Sequence, residues 1–204
     1  MVVNLRSLID QAYKQKIMTQ KAELKQLQSQ IKPHFLYNSF FILNTMAKTG
    51  DTERIELFTT QLGEYFRFVT RNASDEIELK LEIRHARMYT EIQEMRFYKR
   101  VRARFDELPE AFERLPVPRL IVQPLIENAF EHSLEKKARD GRIDVRFETR
   151  DGWACIVIED NGDGLSDEEL DRISRRLAHE NPESETTGLV NVHRRIAITC
   201  GEGS

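Results

Sequence analysis

The hydrophobic pattern of the chain changes at residues 72–75 (Asn-Ala-Ser-Asp). Before this segment, apolar residues recur at spacings of three and four, which is the period of an amphipathic helix. After it, helical stretches alternate with short runs rich in β-branched and aromatic residues. The sequence therefore predicts a helical part followed by an α/β part, with a domain boundary between residues 72 and 75.

The helical part contains two helices joined by a turn. Residues 35–46 are apolar nearly all round, as in a helix buried in a bundle. Residues 49–52 predict a turn, with Thr52 as the N-cap of the next helix. Apolar residues on that helix keep helical spacing at Ile55, Phe58, Leu62, Tyr65, Phe66 and Val69. Each helix has more apolar surface than one antiparallel partner can cover, so we expect a homodimer with a four-helix bundle.

Residues 5–32, ahead of this hairpin, favour a helix and contain neither glycine nor proline. Ile17, Leu24 and Ile31 recur every seven residues, which indicates a weak coiled-coil seam. A solvated amphipathic helix is the alternative. Pro33 is expected to interrupt or kink the helix just before His34.

The second part predicts an α/β sandwich with helices on one face of a mixed sheet. Helices are expected at 81–98, 119–133 and 188–199, and strands at 101–105, 143–149 and 153–159. Between these elements we expect a proline-bearing loop at 108–118, a tight turn at 150–152 and a polar segment of low strand propensity at 166–187. No strand follows the last helix, so we expect the sheet to be truncated at the C-terminus.

Composition narrows the possible functions. The 204 residues include 31 basic and 34 acidic side chains without a basic tract, so the chain has no electrostatic footprint for nucleic acid. Cys155 and Cys200 are too few for a disulfide framework or a four-ligand zinc site, which favours a reducing compartment. No apolar run is long enough to span a bilayer, and no signal-peptide core is present, although the chain could be a fragment of a membrane protein.

His34 is the first candidate for chemistry. A lone histidine on an apolar helix is also compatible with a satisfied core side chain. To act as a nucleophile it needs a neutral ring nitrogen that faces solvent. Asn38 follows one helical turn later on the same face, where its amide could orient the ring or a water molecule.

A second group of polar residues could hold a nucleotide. Asn128 lies on the helix predicted at 119–133, beside Glu127 and one turn before His132, and an amide oxygen is a suitable ligand for Mg²⁺. Asp160 begins the acidic glycine turn 160–164 after an apolar run. Taken singly, these features also fit a solvated helix face and an ordinary loop. No Gly-x-x-x-x-Gly-Lys motif occurs, which argues against P-loop NTPases.

Four motifs together resemble a known family. Residues 30–38 (QIKPHFLYN) resemble the phosphoacceptor box of LytS/YesM-like bacterial sensor histidine kinases. Residues 123–129 (QPLIENA) with His132 are similar to the N-box of the GHKL ATP-binding fold, and residues 160–164 (DNGDG) to its G1 box. Residues 186–189 (TTGL) resemble its G2 region, which often has Gly-x-Gly-Leu in the family.

The resemblance implies three segments. Residues 1–29 would be a signalling or coiled-coil helix, residues 30–72 the dimerisation and phosphoacceptor hairpin, and residues 75–204 a GHKL ATP-binding domain. The chain would then be the cytoplasmic portion of a protein anchored in the bacterial membrane, with its sensor ahead of this segment.

The resemblance also implies roles for individual residues. ATP would bind with its adenine on Asp160 and with Mg²⁺ on Asn128. His132, Gly188 and Leu189 would lie near the phosphates, and Gly162 and Gly164 would let a lid at 162–187 hinge.

The γ-phosphoryl group would pass to His34, with Glu127 as the polarising base, and then to an aspartate on a response-regulator receiver domain. Asn38 would orient water for dephosphorylation of that partner.

Two other interpretations remain open. A GHKL ATPase could hydrolyse ATP as a conformational switch without phosphorylating His34. A dimeric pseudokinase could instead relay signals by helix packing alone, and the altered G2 motif keeps this interpretation open.

Overall fold

A computed structural model of the chain describes residues 33–70, 76–97, 100–134, 139–178 and 188–200. The expected helix at 1–29 with its heptad seam, the boundary 72–75, residues 179–187 of the expected lid and the tail 201–204 lie outside the described residues. The chain divides into two compact units, Met1–Arg71 and Asn72–Ser204.

The described part of the first unit is a helical hairpin. Helix α1 spans Pro33–Thr49, and helix α2 spans Thr52–Thr70. The facing sides are apolar stripes at helical spacing, formed by Phe35, Ile42 and Met46 on α1 and by Phe58, Leu62, Tyr65 and Val69 on α2. Phe35 near the start of α1 contacts Tyr65 near the end of α2, with ring centroids 4.7 Å apart. The two helices are therefore antiparallel, as the short turn predicts.

The turn between the helices corrects the predicted N-cap. Gly50 adopts a φ of 70°, which ends α1. The Oδ1 atom of Asp51 then accepts the backbone N–H of Arg54 at 3.3 Å. The N-cap is therefore Asp51, and Thr52 is already helical, with its hydroxyl donating back to the Gly50 carbonyl. A carboxylate suits this position because it also complements the positive end of the helix dipole.

The opposite side of α1 is not covered by the other described residues of the chain. Tyr37, Phe40 and Phe41 are 72%, 56% and 74% exposed. The sequence predicted a helix apolar nearly all round, and only half of that surface is covered by α2. The hairpin thus presents an aromatic face that it cannot bury by itself.

The second unit is built on a mixed three-stranded sheet. Strands β2 (Val101–Phe105), β4 (Gly141–Arg150) and β5 (Trp153–Asp160) have the order β2-β4-β5. Strand β2 runs parallel to β4, and β4 runs antiparallel to β5. Asp151 and Gly152 join β4 to β5 with φ values of 50° and 84°, a two-residue turn that matches strand twist. The predicted combination of a helical part with an α/β sheet part is confirmed.

The helices of the second unit pack on the sheet and on one another. Helix α3 spans Leu79–Arg96, α5 spans Gln123–Asn128, α6 spans Asp167–Ala178 and α7 spans Gly188–Cys200. Helix α3 packs against β2, α5 packs on α3 and α7, and α6 packs on α7. Ile143 and Val145 of β4 and Ile126 of α5 are fully buried. Within the described ranges, no helix has both the length and the apolar character needed to cross a bilayer.

The predicted loop at 108–118 contains regular structure. A short helix, α4, spans Glu110–Glu113, and Pro116–Pro118 forms strand β3. Strand β3 pairs antiparallel with β1, Glu76–Glu78, which leads directly into α3. A three-residue strand with two prolines has no alternation to detect, which explains why the sequence indicated a loop.

The helix predicted at 119–133 is divided. Residues 119–122 form a turn in which Leu120 has a φ of 57°, and α5 begins only at Gln123. Beyond Asn128 the chain continues as a π-helical turn, Ala129–Leu134. The division arises because Pro124 belongs to a first turn, where its missing N–H is tolerated, and because the N–H groups of the preceding turn bond elsewhere.

Candidate functional site

His34 lies in the first turn of α1 with its side chain exposed. The Nδ2 atom of Asn38, one turn later, is 2.8 Å from Nε2 of the imidazole. An amide nitrogen donates in this contact, so Nε2 accepts and carries the lone pair, while the ring proton resides on Nδ1. An exposed imidazole with an unprotonated Nε2 is a competent nitrogen nucleophile.

The expected N-box and G2 residues meet in the second unit. Helix α7 packs on α5, and a β-carbon built on Gly188 would lie 3.8 Å from Oδ1 of Asn128 and 3.6 Å from the Cβ atom of Pro124. These are ordinary van der Waals distances, so the start of α7 lies directly beside the Asn128 amide. The first backbone N–H groups of this helix, at Gly188 and the half-buried Leu189, provide the kind of site that binds phosphate.

The expected adenine site is the turn that follows β5. Oδ1 of Asp160 accepts the N–H of Gly162 at 2.8 Å. Beside it, Oδ1 of Asn161 accepts the N–H of Arg142 at 2.8 Å, which ties the turn to β4. Gly164, four residues after Asp160, adopts a φ of 74°. The aspartate is therefore presented at the end of a strand, on a turn that its own side chain helps to hold.

For His132 the structure describes the backbone but not the side chain. Its backbone belongs to the π-helical turn Ala129–Leu134. π-Helical turns occur frequently at functional sites because they shift the side chains that follow. The role expected for His132 stays a prediction.

The residues around Asn128 fit a metal held jointly with a nucleotide. Among the described residues, no three His, Cys, Asp or Glu side chains form a metal-binding group. Mg²⁺ in nucleotide sites takes only one or two protein oxygens, together with phosphate oxygens and water. The amide oxygen of Asn128, next to the start of α7, is a donor of the required type.

Behind Asn128 lies a buried chain of hydrogen bonds. His85 on α3 is 1% exposed, and its Nε2–H donates to Oε1 of Gln123 at 2.7 Å. The Nε2 atom of Gln123 donates in turn to Oε1 of Glu127 at 2.9 Å. Burial lowers the pKa of His85 to about 4, so this imidazole is neutral at pH 7. Glu127, the expected polarising base, is only 5% exposed and belongs to this chain.

A second buried anchor lies one turn earlier on α3. Both carboxylate oxygens of the fully buried Glu82 accept backbone N–H groups, from Leu120 at 2.9 Å, Ile121 at 2.8 Å and Val122 at 2.9 Å. Burial raises the pKa of Glu82, and these three donors oppose the shift. Glu82 therefore holds the turn that precedes α5.

Sequence reasoning assigned no role to Glu82 or His85. A Glu and a His on a helix usually indicate a solvated face. One signal was available: both residues fall on the same side as Leu79, Ile83, Ala86 and Tyr89, which form the apolar face of α3. Polar residues on an apolar helix face need buried partners.

Two family models match the chain. Residues 22–101 match a family model described as histidine kinase. Residues 115–203 match one described as histidine kinase-, DNA gyrase B-, and HSP90-like ATPase. The two matches together take in most of the chain, including His34 in the first and Asn128, Asp160 and Gly188 in the second.

Several curated proteins are similar along nearly the whole chain. Sensor histidine kinase YesM of Bacillus subtilis is 31% identical over 202 residues, which is 99% of this chain and 33% of that protein. Sensor protein LytS of Oceanobacillus iheyensis is 28% identical over 197 residues, covering 95% of this chain and 33% of that protein. Sensor histidine kinase YpdA of Escherichia coli is 29% identical over 204 residues, covering 99% and 35%. The chain thus spans about a third of the length of these relatives.

Proposed function

Because the chain belongs to the LytS/YesM-like family of sensor histidine kinases, we propose that it transfers the γ-phosphoryl group of ATP to His34. The observation that carries this proposal is the contact between Asn38 and His34. It holds the exposed imidazole in the tautomer with an unprotonated Nε2, and the amide N–H releases the Nε2 lone pair before attack. The phosphoryl group then passes to an aspartate of a response-regulator receiver domain.

The second unit supplies the nucleotide site in this proposal. Asp160 accepts a hydrogen bond from the adenine amino group, and Gly162 and Gly164 let the following segment hinge over the nucleotide. The start of α7 at Gly188 and Leu189 donates backbone N–H groups to the phosphates, with His132 nearby. The contact of Gly188 with Asn128 supports this arrangement, because it brings the helix start and the amide oxygen to one place.

The transfer step balances without a further reactant. Nε2 of His34 forms a bond to the γ-phosphorus as the bond to the β–γ bridging oxygen breaks, and ADP leaves. The Nδ1 proton passes to solvent when the phosphorylated ring returns to neutrality. Asn128 would hold Mg²⁺, which supplies charge neutralisation on the phosphates when bound. Glu127 acts as the polarising base, and Asn38 directs the ring and later a water molecule for dephosphorylation of the regulator.

The proposal includes a second copy of the chain as a partner. Tyr37, Phe40 and Phe41 form an aromatic face on α1 next to the exposed His34. Two such hairpins can bury these faces against each other in a four-helix bundle. We therefore propose a homodimer with one His34 in each subunit.

The position of the chain within a larger protein is also a proposal. The relatives are named as sensors, and the chain covers about a third of each. We propose that it is the cytoplasmic portion of a membrane-anchored sensor, in which residues 1–29 transmit the signal to the hairpin.

The test is incubation of the protein with γ-labelled ATP and Mg²⁺. Label on the protein should be acid-labile and base-stable, and His34→Gln should remove it while ATP affinity stays within about twofold. Label released only as inorganic phosphate would instead indicate an ATPase switch. The absence of Mg²⁺-dependent ATP binding, with Asp160→Asn equal to wild type, would indicate a pseudokinase scaffold.

A further inference from the structure

Helix α3 makes two buried polar contacts with the start of the Asn128 helix, from Glu82 and from His85. These residues stand three apart on one face of α3, with exposures of 0% and 1%. Their partners lie 38 to 40 residues later in the chain. Buried polar groups at such separations must be matched in geometry, so each contact constrains the site as well as the fold.

The two contacts constrain different parts of the site. Glu82 bonds only to the backbone of Leu120, Ile121 and Val122, so it fixes where α5 begins. The Glu82 contacts do not determine the orientation of the Gln123 side-chain amide. His85 bonds to that amide, and the amide bonds to Glu127, the neighbour of Asn128.

The direction of the hydrogen bond between His85 and Gln123 determines the orientation of the Gln123 side-chain amide. Oε1 of Gln123 can only accept, so Nε2 of His85 must donate. With the oxygen held in this way, the amide NH₂ group faces Oε1 of Glu127. If the amide were reversed, its oxygen would face the Glu127 carboxylate, which places two acceptors together.

We propose that His85 is a positioning residue of the phosphoryl-transfer site: through the Gln123 amide it holds the Glu127 carboxylate beside Asn128. This inference rests on the proposed function, since it concerns the same nucleotide site. His85 touches neither ATP nor His34 in this role. Residues that orient a site residue in this way typically change activity by about 10- to 100-fold when they are lost.

The experiment compares two substitutions of the same residue. His85→Phe fills the ring volume without a donor, whereas His85→Gln places an amide N–H where Nε2 lies. In single-turnover reactions with Mg·ATP, the departure of the γ-phosphoryl group is counted as labelled protein plus labelled inorganic phosphate. We expect His85→Phe to lower this rate by about tenfold or more, with ATP affinity changed less than about threefold. His85→Gln should restore most of the rate.

Gln123→Met provides an independent arm and breaks both hydrogen bonds with little change in volume. It should lower the rate as much as His85→Phe, and the double variant should lose no more than either single variant, because both changes break one chain of contacts. If His85→Phe does not fold, by near-ultraviolet circular dichroism, the comparison of Gln123→Met with His85→Gln decides.

The inference is overturned if His85→Phe keeps the wild-type rate. It is equally overturned if His85→Gln is as slow as His85→Phe, since that result assigns His85 a packing role alone. Label that appears as phosphate and never on His34 refutes the proposed kinase function, while the same variants still decide the role of His85 in phosphate release. A wild-type protein that cleaves no ATP refutes both.

Discussion

The amide of Asn38 approaches Nε2 of His34 at 2.8 Å, whereas its distance to Nδ1 is 3.3 Å. The two residues are four apart on α1, so the contact needs no element beyond the helix itself. The contact thus favours the tautomer with an unprotonated Nε2, which is the attacking nitrogen in the proposed reaction.

Replacing Asn38 tests this tautomer assignment. Asn38→Ala removes a hydrogen bond worth about 1 kcal/mol, so we expect the phosphorylation rate of His34 to fall by roughly fivefold. Asn38→Asp should reduce it further, because a carboxylate accepts and would draw the ring proton onto Nε2. The measurement is the initial rate of phosphohistidine formation. Equal rates for wild type and Asn38→Asp would contradict the assignment.

Glu82 should contribute to stability more than to chemistry. Glu82→Ala leaves the buried N–H groups of Leu120, Ile121 and Val122 without their acceptor, so the free energy of unfolding should fall by about 3 kcal/mol or more. Glu82→Gln retains one acceptor oxygen and should lose about 1 to 2 kcal/mol. Urea denaturation measures both, and the exposed Glu107→Gln is the control with no expected change.

His85 gives the stability a pH dependence of known sign. Burial lowers the folded-state pKa of His85 to about 4 from 6.5, so the unfolded chain binds the proton more readily between these values. The stability contribution of His85 is therefore complete above pH 6.5 and falls by about 3 kcal/mol as the pH drops to 4.

Comparison with His85→Phe isolates the pH-dependent contribution of His85 to the free energy of unfolding. Burial raises the pKa of Glu82, whose linkage has the opposite sign, and that effect cancels in the difference between wild type and variant. The unfolding free energy of wild type minus that of His85→Phe should be constant above pH 6.5 and fall by about 3 kcal/mol as the pH drops to 4. A constant difference from pH 4 to pH 7 would show that His85 is not held neutral in the folded state.

The contact of Gly188 with Asn128 predicts a size limit at position 188. A β-carbon there meets Pro124 and Asn128 at 3.6 and 3.8 Å, which is ordinary contact, so Gly188→Ala should keep ATP affinity within about threefold. Gly188→Val places further methyl groups against the amide and should weaken Mg·ATP binding by about tenfold or more. Isothermal titration calorimetry checks both, and Asn128→Ala should remove the Mg²⁺ dependence without unfolding the protein.

The aromatic face of α1 predicts the oligomeric state. Phe41→Glu places a charge at the centre of the proposed dimer contact and should convert the dimer to a monomer at micromolar concentration. Leu170→Glu is the control, because Leu170 is also an exposed apolar residue, 47% against 74% for Phe41, and lies in the second unit. Light scattering coupled to gel filtration gives the mass. A monomeric wild-type protein would contradict the dimer.

Local patterns in the sequence were sufficient to predict the positions of several secondary-structure elements. Strand β2 was predicted with the bounds observed, Val101–Phe105, and the turn at 150–152 between β4 and β5 was expected from its Asp-Gly pair. The helix beginning at Gly188 was foreseen as well. Each of these depends on periodicity or turn chemistry within about ten residues.

The buried hydrogen bonds from Glu82 and His85 that support the candidate site could not be predicted from local sequence patterns, because they join residues 38 to 40 apart. Glu82 is buried because a turn 38 residues away offers it three N–H groups, and its position on the apolar face of α3 shows that it needs a buried partner without showing which one. The same turn, with Leu120 at positive φ, divided the helix predicted at 119–133. His34, Asn128, Asp160 and Gly188 could be named because their motifs are short, whereas the residues that hold them in place are distant in sequence.

The proline pair in β3 also limits how the second unit can associate. Leu79 donates to the Leu115 carbonyl, and Ile77 lies opposite Val117, so the backbone nitrogens of Pro116 and Pro118 point away from β1. Neither nitrogen carries a hydrogen. The edge of the β1–β3 pair that faces away from β1 consequently offers carbonyl acceptors but no N–H donors. A further extended segment cannot form a complete set of β-sheet hydrogen bonds with this two-stranded ribbon there. The ribbon is thus protected from edge-to-edge aggregation while it leads the chain into the turn before α5.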